Sequence, residues 1–166
     1  MAAAQISEPD PVVIDLETEA DAKAVAYLVD HAFGPGRWAK TAERLREHNR
    51  PIAGLSFVAR ERGRVVGSVR LWPVKIGETA AAFLGPIAVE DAQRRNGVGA
   101  RLVEQACTAA QAQGVAAVLL VGDEPYFGRF GFVRCTACLP GPVDTRRVLI
   151  RPCDGREAPV GDVRRP

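Results

Sequence analysis

The stretch AVEDAQRRNGVGARLVEQA, residues 88–106, decides the reading of the chain. It continues an apolar segment ending in Ile87-Ala88-Val89, passes through a polar turn and enters a predicted helix near Gly97. Two glycines, Gly97 and Gly99, stand one residue apart just after Arg94 and Arg95. At such a strand-to-helix seam the N–H groups of the first helical turn, here Asn96, Gly97, Val98, Gly99 and Ala100, have no intrahelical partner. They carry the positive end of the helix macrodipole, and the glycines remove the side chains that would keep an anion away. Arg94 and Arg95 add full charges at the same place. The seam reads as an anion site, most naturally for phosphate.

Two well-known phosphate loops do not fit it. The dinucleotide fingerprint needs a third glycine where Leu102 stands, and the loop of nucleotide hydrolases needs a Gly-Lys-Ser/Thr ending that the chain does not contain. Downstream, Leu102, Val103, Ala106, Cys107 and Ala110 form a helical face that runs to about residue 113, where Gly114 stops it. VAAVLLV (115–121) then reads as a buried strand. Strand, helix and strand over 83–121 imply a right-handed crossover between two parallel strands.

Upstream, LSFVARERGRVVGSVRLW predicts a hairpin turning at Arg62-Gly63. TAAAFLGPIAV predicts a third strand, in which Gly85-Pro86 marks a bulge or bend where pairing to one neighbour ends. VVIDL (12–16) is a first strand, and EADAKAVAYLVDHAF (19–33) a helix with Ala24, Tyr27, Leu28 and His31 on its stripe. RWAKTAERLREHN predicts a second, charged helix, EPYFGRF a short one, and GFVRC and RRVLIRP two more strands. The expected fold is mixed α/β, an α+β-type sheet with an antiparallel N-terminal half and a parallel pair at its centre, flanked by helices.

At 166 residues, 47% hydrophobic and 25% charged, the chain suits one globular domain over 11–153, with flexible tails at 1–10 and 154–166. A net charge of +2 and scattered arginines argue against a nucleic-acid partner. No run approaches the roughly 20 apolar residues of a membrane span, and MAAAQISEPDP lacks the parts of a secretory signal, so the expected location is cytoplasmic. Cys135 and Cys138 supply only half of a zinc spacing, and with Cys107 and Cys153 they are expected to be free thiols, with no metal.

Arg94, Gly97 and Gly99 meet the pattern Arg/Gln-x-x-Gly-x-Gly/Ala, which resembles the pyrophosphate-binding motif of the GNAT superfamily of acyl-CoA-dependent N-acetyltransferases. LGPIAV before it and GDEPYFGRFGF (122–132) after it are similar to the flanking segments of small bacterial members. The resemblance covers roughly 12–152 and is strongest over 83–133. It implies a GNAT-like fold with a splayed parallel pair, and acetyl-CoA as co-substrate lying in the splay. Main-chain groups of Ile87, Ala88 and Val89 would then hold the pantetheine arm, the N–H groups of Asn96 to Ala100 the pyrophosphate, and Phe127 would border the cofactor. The implied reaction is attack of a primary amine, on a small molecule, peptide or protein, on the thioester. A non-catalytic acyl-CoA-binding or sensing module is the alternative.

One position departs from the family. Many members carry a tyrosine four residues before the glycine of the last Gly-Phe pair, as the acid that protonates the departing thiolate; here that position is Phe127. Tyr126, adjacent, is either a replacement acid or a partly buried ring with a satisfied hydroxyl. Catalysis does not require it, since a thiol pKa near 8.5 makes thiolate a tolerable leaving group. Glu78, Glu90, Asp91, Asp123 and Glu124 lie near the relevant segments, and none is singled out as base. His31 reads as a helix-end residue. Arg129 reads as a surface charge or as a further contact to a CoA phosphate. Trp38 and the charged segment after it either border the acceptor pocket or form a solvated helix anchored by Trp38. The strand at 146–151 reads as an exposed edge open to a homodimer partner.

Overall fold

A computed structural model describes residues 11–166 of the chain. The predicted tail at 1–10 lies outside the described residues. The order is β1 (Val13–Leu16), α1 (Ala22–Phe33), α2 (Thr41–Arg46), β2 (Ser56–Glu61), β3 (Arg64–Ile76), β4 (Thr79–Val89), α3 (Val98–Ala112), β5 (Ala117–Val121), α4 (Glu124–Phe127), β6 (Val133–Arg134), β7 (Val148–Pro152) and β8 (Val163–Arg164). Among the described residues the strands form one sheet in the order β1-β2-β3-β4-β5-β7-β6, with β8 added to β3. All neighbours pair antiparallel except β4 and β5, the predicted parallel pair. Arg62 and Gly63, both at positive φ, make the tight turn between β2 and β3.

The sheet is covered on both faces. Val98, Leu102, Val103, Ala106, Cys107 and Ala110 of α3 pack on Phe57, Val69, Leu71, Ala82, Leu84, Val118 and Leu120. Each large side chain buried there contributes about 1.5–3 kcal/mol. On the opposite face Val25, Leu28 and Val29 of α1 meet Val58 and Ala88, and Leu45 of α2 joins Trp72, Val74, Phe83 and Leu119. The α1 stripe thus runs through Val25 and Val29, and Ala24, Tyr27 and His31 are exposed, because the apolar residues nearest the sheet are the β-branched pair, not the ring. The charged helix expected over 37–49 shrinks to α2, preceded by a 3-10 turn at Pro35–Ala39.

β4 is the strand that shapes the site. Val69 pairs with Ile87 and Leu71 with Leu84, so Gly85 and Pro86, joined by a cis peptide bond, face a single residue on β3. This bulge inverts the alternation: Ala82 and Leu84 point to the α3 face before it, and Ile87 and Val89 point there after it. Trp72 Nε1 donates to the Gly85 carbonyl at 2.6 Å and braces the bulge from the buried side. Pairing between β4 and β5 covers only Ala82↔Val118 and Phe83↔Leu119, so the strands part before the bulge and β4 runs on without β5 beside it.

Two expectations are corrected. The segment 154–166 is no loose tail: Val163 is buried, β8 pairs with the far end of β3, and Cys138 and Asp162 form a bridge. Its valine finds the apolar end of a long strand that β2 leaves uncovered. The strand near 146–151 is no free edge either. β7 lies between β5 and β6, with Val148, Leu149 and Ile150 buried, as a continuous apolar run on a doubly covered strand requires.

At the start of α1 the Asp21 carboxylate accepts two guanidinium bonds from Arg60 at 2.8 Å, plus the Thr18 N–H at 2.8 Å and hydroxyl at 2.9 Å. The Arg60 bonds above all hold its pKa well below the usual carboxylate range. A carboxylate depressed by folding lends stability above its unfolded pKa, about 3.9, and that stability is lost as pH falls from there toward the folded value. Asp21→Asn is therefore expected to lower the melting temperature at pH 7 and to flatten its decline between about pH 5 and 3. Parallel melting curves for the two proteins would remove Asp21 from the acid limb. Trp72→Phe, which strands the buried Gly85 carbonyl, is expected to cost about 1–3 kcal/mol in denaturant unfolding.

Candidate active site

The polar seam folds as a 3-10 turn (Asp91–Asn96), Gly97, then α3. Gly97 has φ +71, a left-handed conformation that strains any residue with a Cβ, and the point where its Cβ would lie opens to free space. Gln93 is buried and fixes the turn, donating to Glu61 at 2.9 Å and accepting from Asn96 Nδ2 at 3.0 Å. Val98 is buried under β3 and so presents only its backbone to the seam.

A cleft of about 510 Å³ lies over this seam. Ile87, Ala88 and Val89 form its β4 wall, Arg94, Arg95, Gly97, Gly99 and Ala100 its floor, and Tyr126 and Arg129 its opposite side. The structure thus gathers the predicted site residues into one cleft, apart from the side chains of Asn96, Val98 and Phe127. Arg129 proves to be a third guanidinium on the cleft, stacked 4.7 Å over Tyr126. Its sequence signal was weak because a lone arginine after a short helix reads equally as surface.

The residues present fit acyl-CoA. Orphan N–H groups of α3, three guanidiniums and two missing side chains suit a pyrophosphate, while the stretch of β4 beyond its last β5 pair leaves main-chain groups that an extended arm can pair with.

A second cavity of about 570 Å³ adjoins the first, and both include Phe33 and Ile87 in their walls. It lies where β4 and β5 part, bounded by Leu84, Gly85 and Pro86, by Val121, Gly122 and Asp123, by α2, and by residues 142–144 of the loop before β7. The Thr41 hydroxyl donates to the Pro142 carbonyl at 2.6 Å, tying α2 to that loop. Phe127 lines this second cavity, packed so tightly on the end of β5 that a Cβ on Gly122 would stand 2.3 Å from its ring. Only glycine admits the ring there.

Tyr126 points elsewhere. Its hydroxyl lies 3.2 Å from the place of a Cβ on Gly99, beside the first turn of α3, and its ring meets Phe127 and Phe130 edge to face. Of the five carboxylates named from the sequence, Glu78 lies away from the site in the β3–β4 turn, paired with Arg164; Glu90, Asp91 and Glu124 pair with Arg64, Arg94 and Arg134, and only Asp123, 3.4 Å from Arg147, lines the second cavity. Trp38 is 58% exposed beneath the Arg37 guanidinium and lines neither cavity, whereas Lys40, Thr41 and Ala42 of the charged segment after it line the second. Sequence reasoning missed Phe33, Arg37 and Arg147, whose only signal was their charge or ring, whereas Arg46 falls in the charged segment already offered as a border of the acceptor pocket. Among the described residues no group of three or more His, Cys, Asp or Glu is placed to hold a metal, the four cysteines are free, and no helix is long and apolar enough to cross a membrane.

The fold is shared by known proteins. The acetyltransferase (GNAT) family model matches residues 22–132. The chain is 30% identical over 123 residues to an uncharacterized N-acetyltransferase of Escherichia coli K12, YhbS, covering 73% of each chain. The crystal structure of Escherichia coli YhbS in complex with CoA superposes with a TM-score of 0.78 at 26% identity, covering 96% of this chain and 93% of that one. A GNAT family acetyltransferase from Brucella melitensis in complex with acetyl-CoA gives 0.72 at 26% identity, covering 92% and 94%. With its splayed parallel pair, its glycine seam and these relatives, the chain belongs to the GNAT acetyltransferase family.

Proposed function

We propose that the protein transfers acetyl from acetyl-CoA to a primary amine by direct attack within a ternary complex. The observation that carries this reading is the meeting of the two cavities at Phe33 and Ile87, below the β4 bulge. One cavity has the features of a cofactor cleft, and the other opens beside it from the opposite side of the splay. Acetyl-CoA supplies the thioester carbonyl; the remaining work belongs to this chain.

The N–H groups of residues 96–100, with Arg94, Arg95 and Arg129, hold the pyrophosphate. Main-chain groups of Ile87, Ala88 and Val89 hold the pantetheine arm as an added strand, and an N–H near Ile87 stabilises negative charge on the carbonyl oxygen. The second cavity receives the amine and orients it, a contribution that exceeds that of a single acid or base. The C–N bond forms as the C–S bond breaks, the amine yields its proton to water, and the sulfur leaves as thiolate. Phe127 stands in the second cavity with no proton to give, and the Tyr126 hydroxyl is directed at the phosphate end, so Tyr126 serves as a cofactor contact.

Gly97→Glu sets a carboxylate on the anion floor, and like-charge opposition of several kcal/mol is expected to weaken acetyl-CoA binding by roughly 100-fold or more in calorimetric titration. Unchanged binding would refute the cleft assignment, and binding by the wild type without thiol release from acetyl-CoA in the presence of any amine would favour a sensing module. Tyr126→Phe removes one hydrogen bond, about 0.5–1.5 kcal/mol, so its Kd for acetyl-CoA is expected to rise about 2- to 10-fold with kcat within about threefold. A kcat loss of about 100-fold or more at unchanged Kd would instead make Tyr126 the acid.

A further inference from the structure

The second cavity is unusual in its charge. Arg37, Lys40, Arg46 and Arg147 line it, against only Asp123 and Asp144. Both carboxylates are already engaged: Asp123 stands 3.4 Å from Arg147, and Asp144 accepts two bonds from the Arg146 guanidinium and one from its N–H. Behind the wall, Glu43 is shared by two guanidiniums, Arg46 at 2.7 Å and Arg37 at 3.7 Å; Arg37 also reaches Asp30 at 2.9 Å. Asp30 is 63% exposed, whereas the side chains of Arg37, Arg46 and Glu43 are 15%, 10% and 7% exposed. Glu43 thus answers Arg46 closely and Arg37 only at longer range, and the nearer partner of Arg37 is the exposed Asp30. Arg37 Nε and Arg46 Nε are buried with no hydrogen-bond partner among the described residues. Lys40 lies 5.9 Å from the Phe33 ring, and among the described residues no carboxylate pairs with it.

Holding an excess of cations around a cavity is costly unless an anion arrives to balance them. The arginine fork is suited to carboxylate or phosphate oxygens. Its position bears on the reaction. Arg46 Nη1 lies 3.4 Å from the point where a Cβ would stand on Gly85, two residues before Ile87, where the cavities meet. Two residues of chain span at most about 7 Å, so an anion held at Arg46 leaves an amine only a few bonds away within reach of the junction. A cavity of about 570 Å³ suits a small molecule.

We propose that the acceptor is a small amine bearing an anionic group, a carboxylate or phosphate, which Arg46, Arg37 and Lys40 bind so that the amine faces the Ile87 junction. This rests on the transferase reading above.

The test uses the full chain with acetyl-CoA and matched acceptors: amino acids against their carboxamides, and 2-aminoethyl phosphate against ethanolamine. Thiol release gives kcat and KM, and calorimetry gives binding of each acceptor to the CoA-loaded protein. The anionic member of a pair is expected to be favoured roughly 10- to 100-fold, chiefly in KM, as charge-assisted hydrogen bonds imply. Whichever arm responds names the carboxylate or the phosphate as the anion. Arg46→Gln is expected to abolish that preference while the Kd for acetyl-CoA is unchanged. Should Arg46→Gln not fold, Lys40→Gln on the exposed rim is expected to reduce the same preference severalfold. Equal use of both members, preference for the neutral one, or no binding and no turnover of any anionic acceptor by a protein that binds acetyl-CoA would overturn the inference. Failure to bind acetyl-CoA would overturn the transferase reading itself.

Discussion

The hydrogen bond from Trp72 Nε1 to the Gly85 carbonyl holds the distortion on which the rest of the molecule depends. A strand cannot change which face its side chains address without gaining a residue, and the extra residue at Gly85-Pro86 makes that change in the middle of β4. Before it, β4 is a central strand with partners on both sides; after it, β3 alone remains. Ile87 and Val89 still reach the α3 core, and Ala88 still meets α1. The sheet therefore opens between β4 and β5 without giving up its packing on either face. An opening of this kind exposes main-chain groups in a cleft with apolar walls, which is what an extended ligand needs to lie in a sheet.

Electrostatics then distinguishes the two sides of the opening. On the α3 side, partial charges of a helix terminus combine with Arg94, Arg95 and Arg129 over glycines that allow close approach. On the α2 side the charge is carried by side chains, and a single buried carboxylate, Glu43, restrains two of them. The first arrangement is built largely into the backbone. The second depends on residues of α2 and of the turn before it, segments with little regular structure of their own that are tied down by Thr41 to Pro142 and by Asn49 to Pro73. Specificity placed on such segments varies without disturbing the sheet.

Much of this was legible in the chain itself. The heptad-like run of α3, the hairpin at Arg62-Gly63, the parallel pair and the bulge at Gly85-Pro86 all follow from local rules, because each depends on periodicity, turn chemistry or a missing donor within a few residues. The glycine seam at the start of α3 was legible for the same reason. Less local features were not. VRR near the C-terminus carries no pattern that announces β8, since a two-residue strand has no period. The burial of β7 depends on β6 arriving beside it from a distant segment. Tyr27 suits a helical stripe as well as Val25 does, and only the position of the sheet decides between them.

By itself, the sequence determined most of the elements, their order and the glycine seam that opens α3, since these are written in contiguous residues whose backbone preferences and hydrophobic periods act at short range. Tertiary structure alone decided that Phe127 and Tyr126, neighbours in the chain, enter different cavities, and that Asp123 alone among five carboxylates lines the second one. It alone brought Arg46 beside Gly85, roughly forty residues on, with Arg37 reaching the same carboxylate, Glu43. Directions of side chains on short irregular helices and contacts between distant segments depend on how whole layers pack, and no local pattern encodes them.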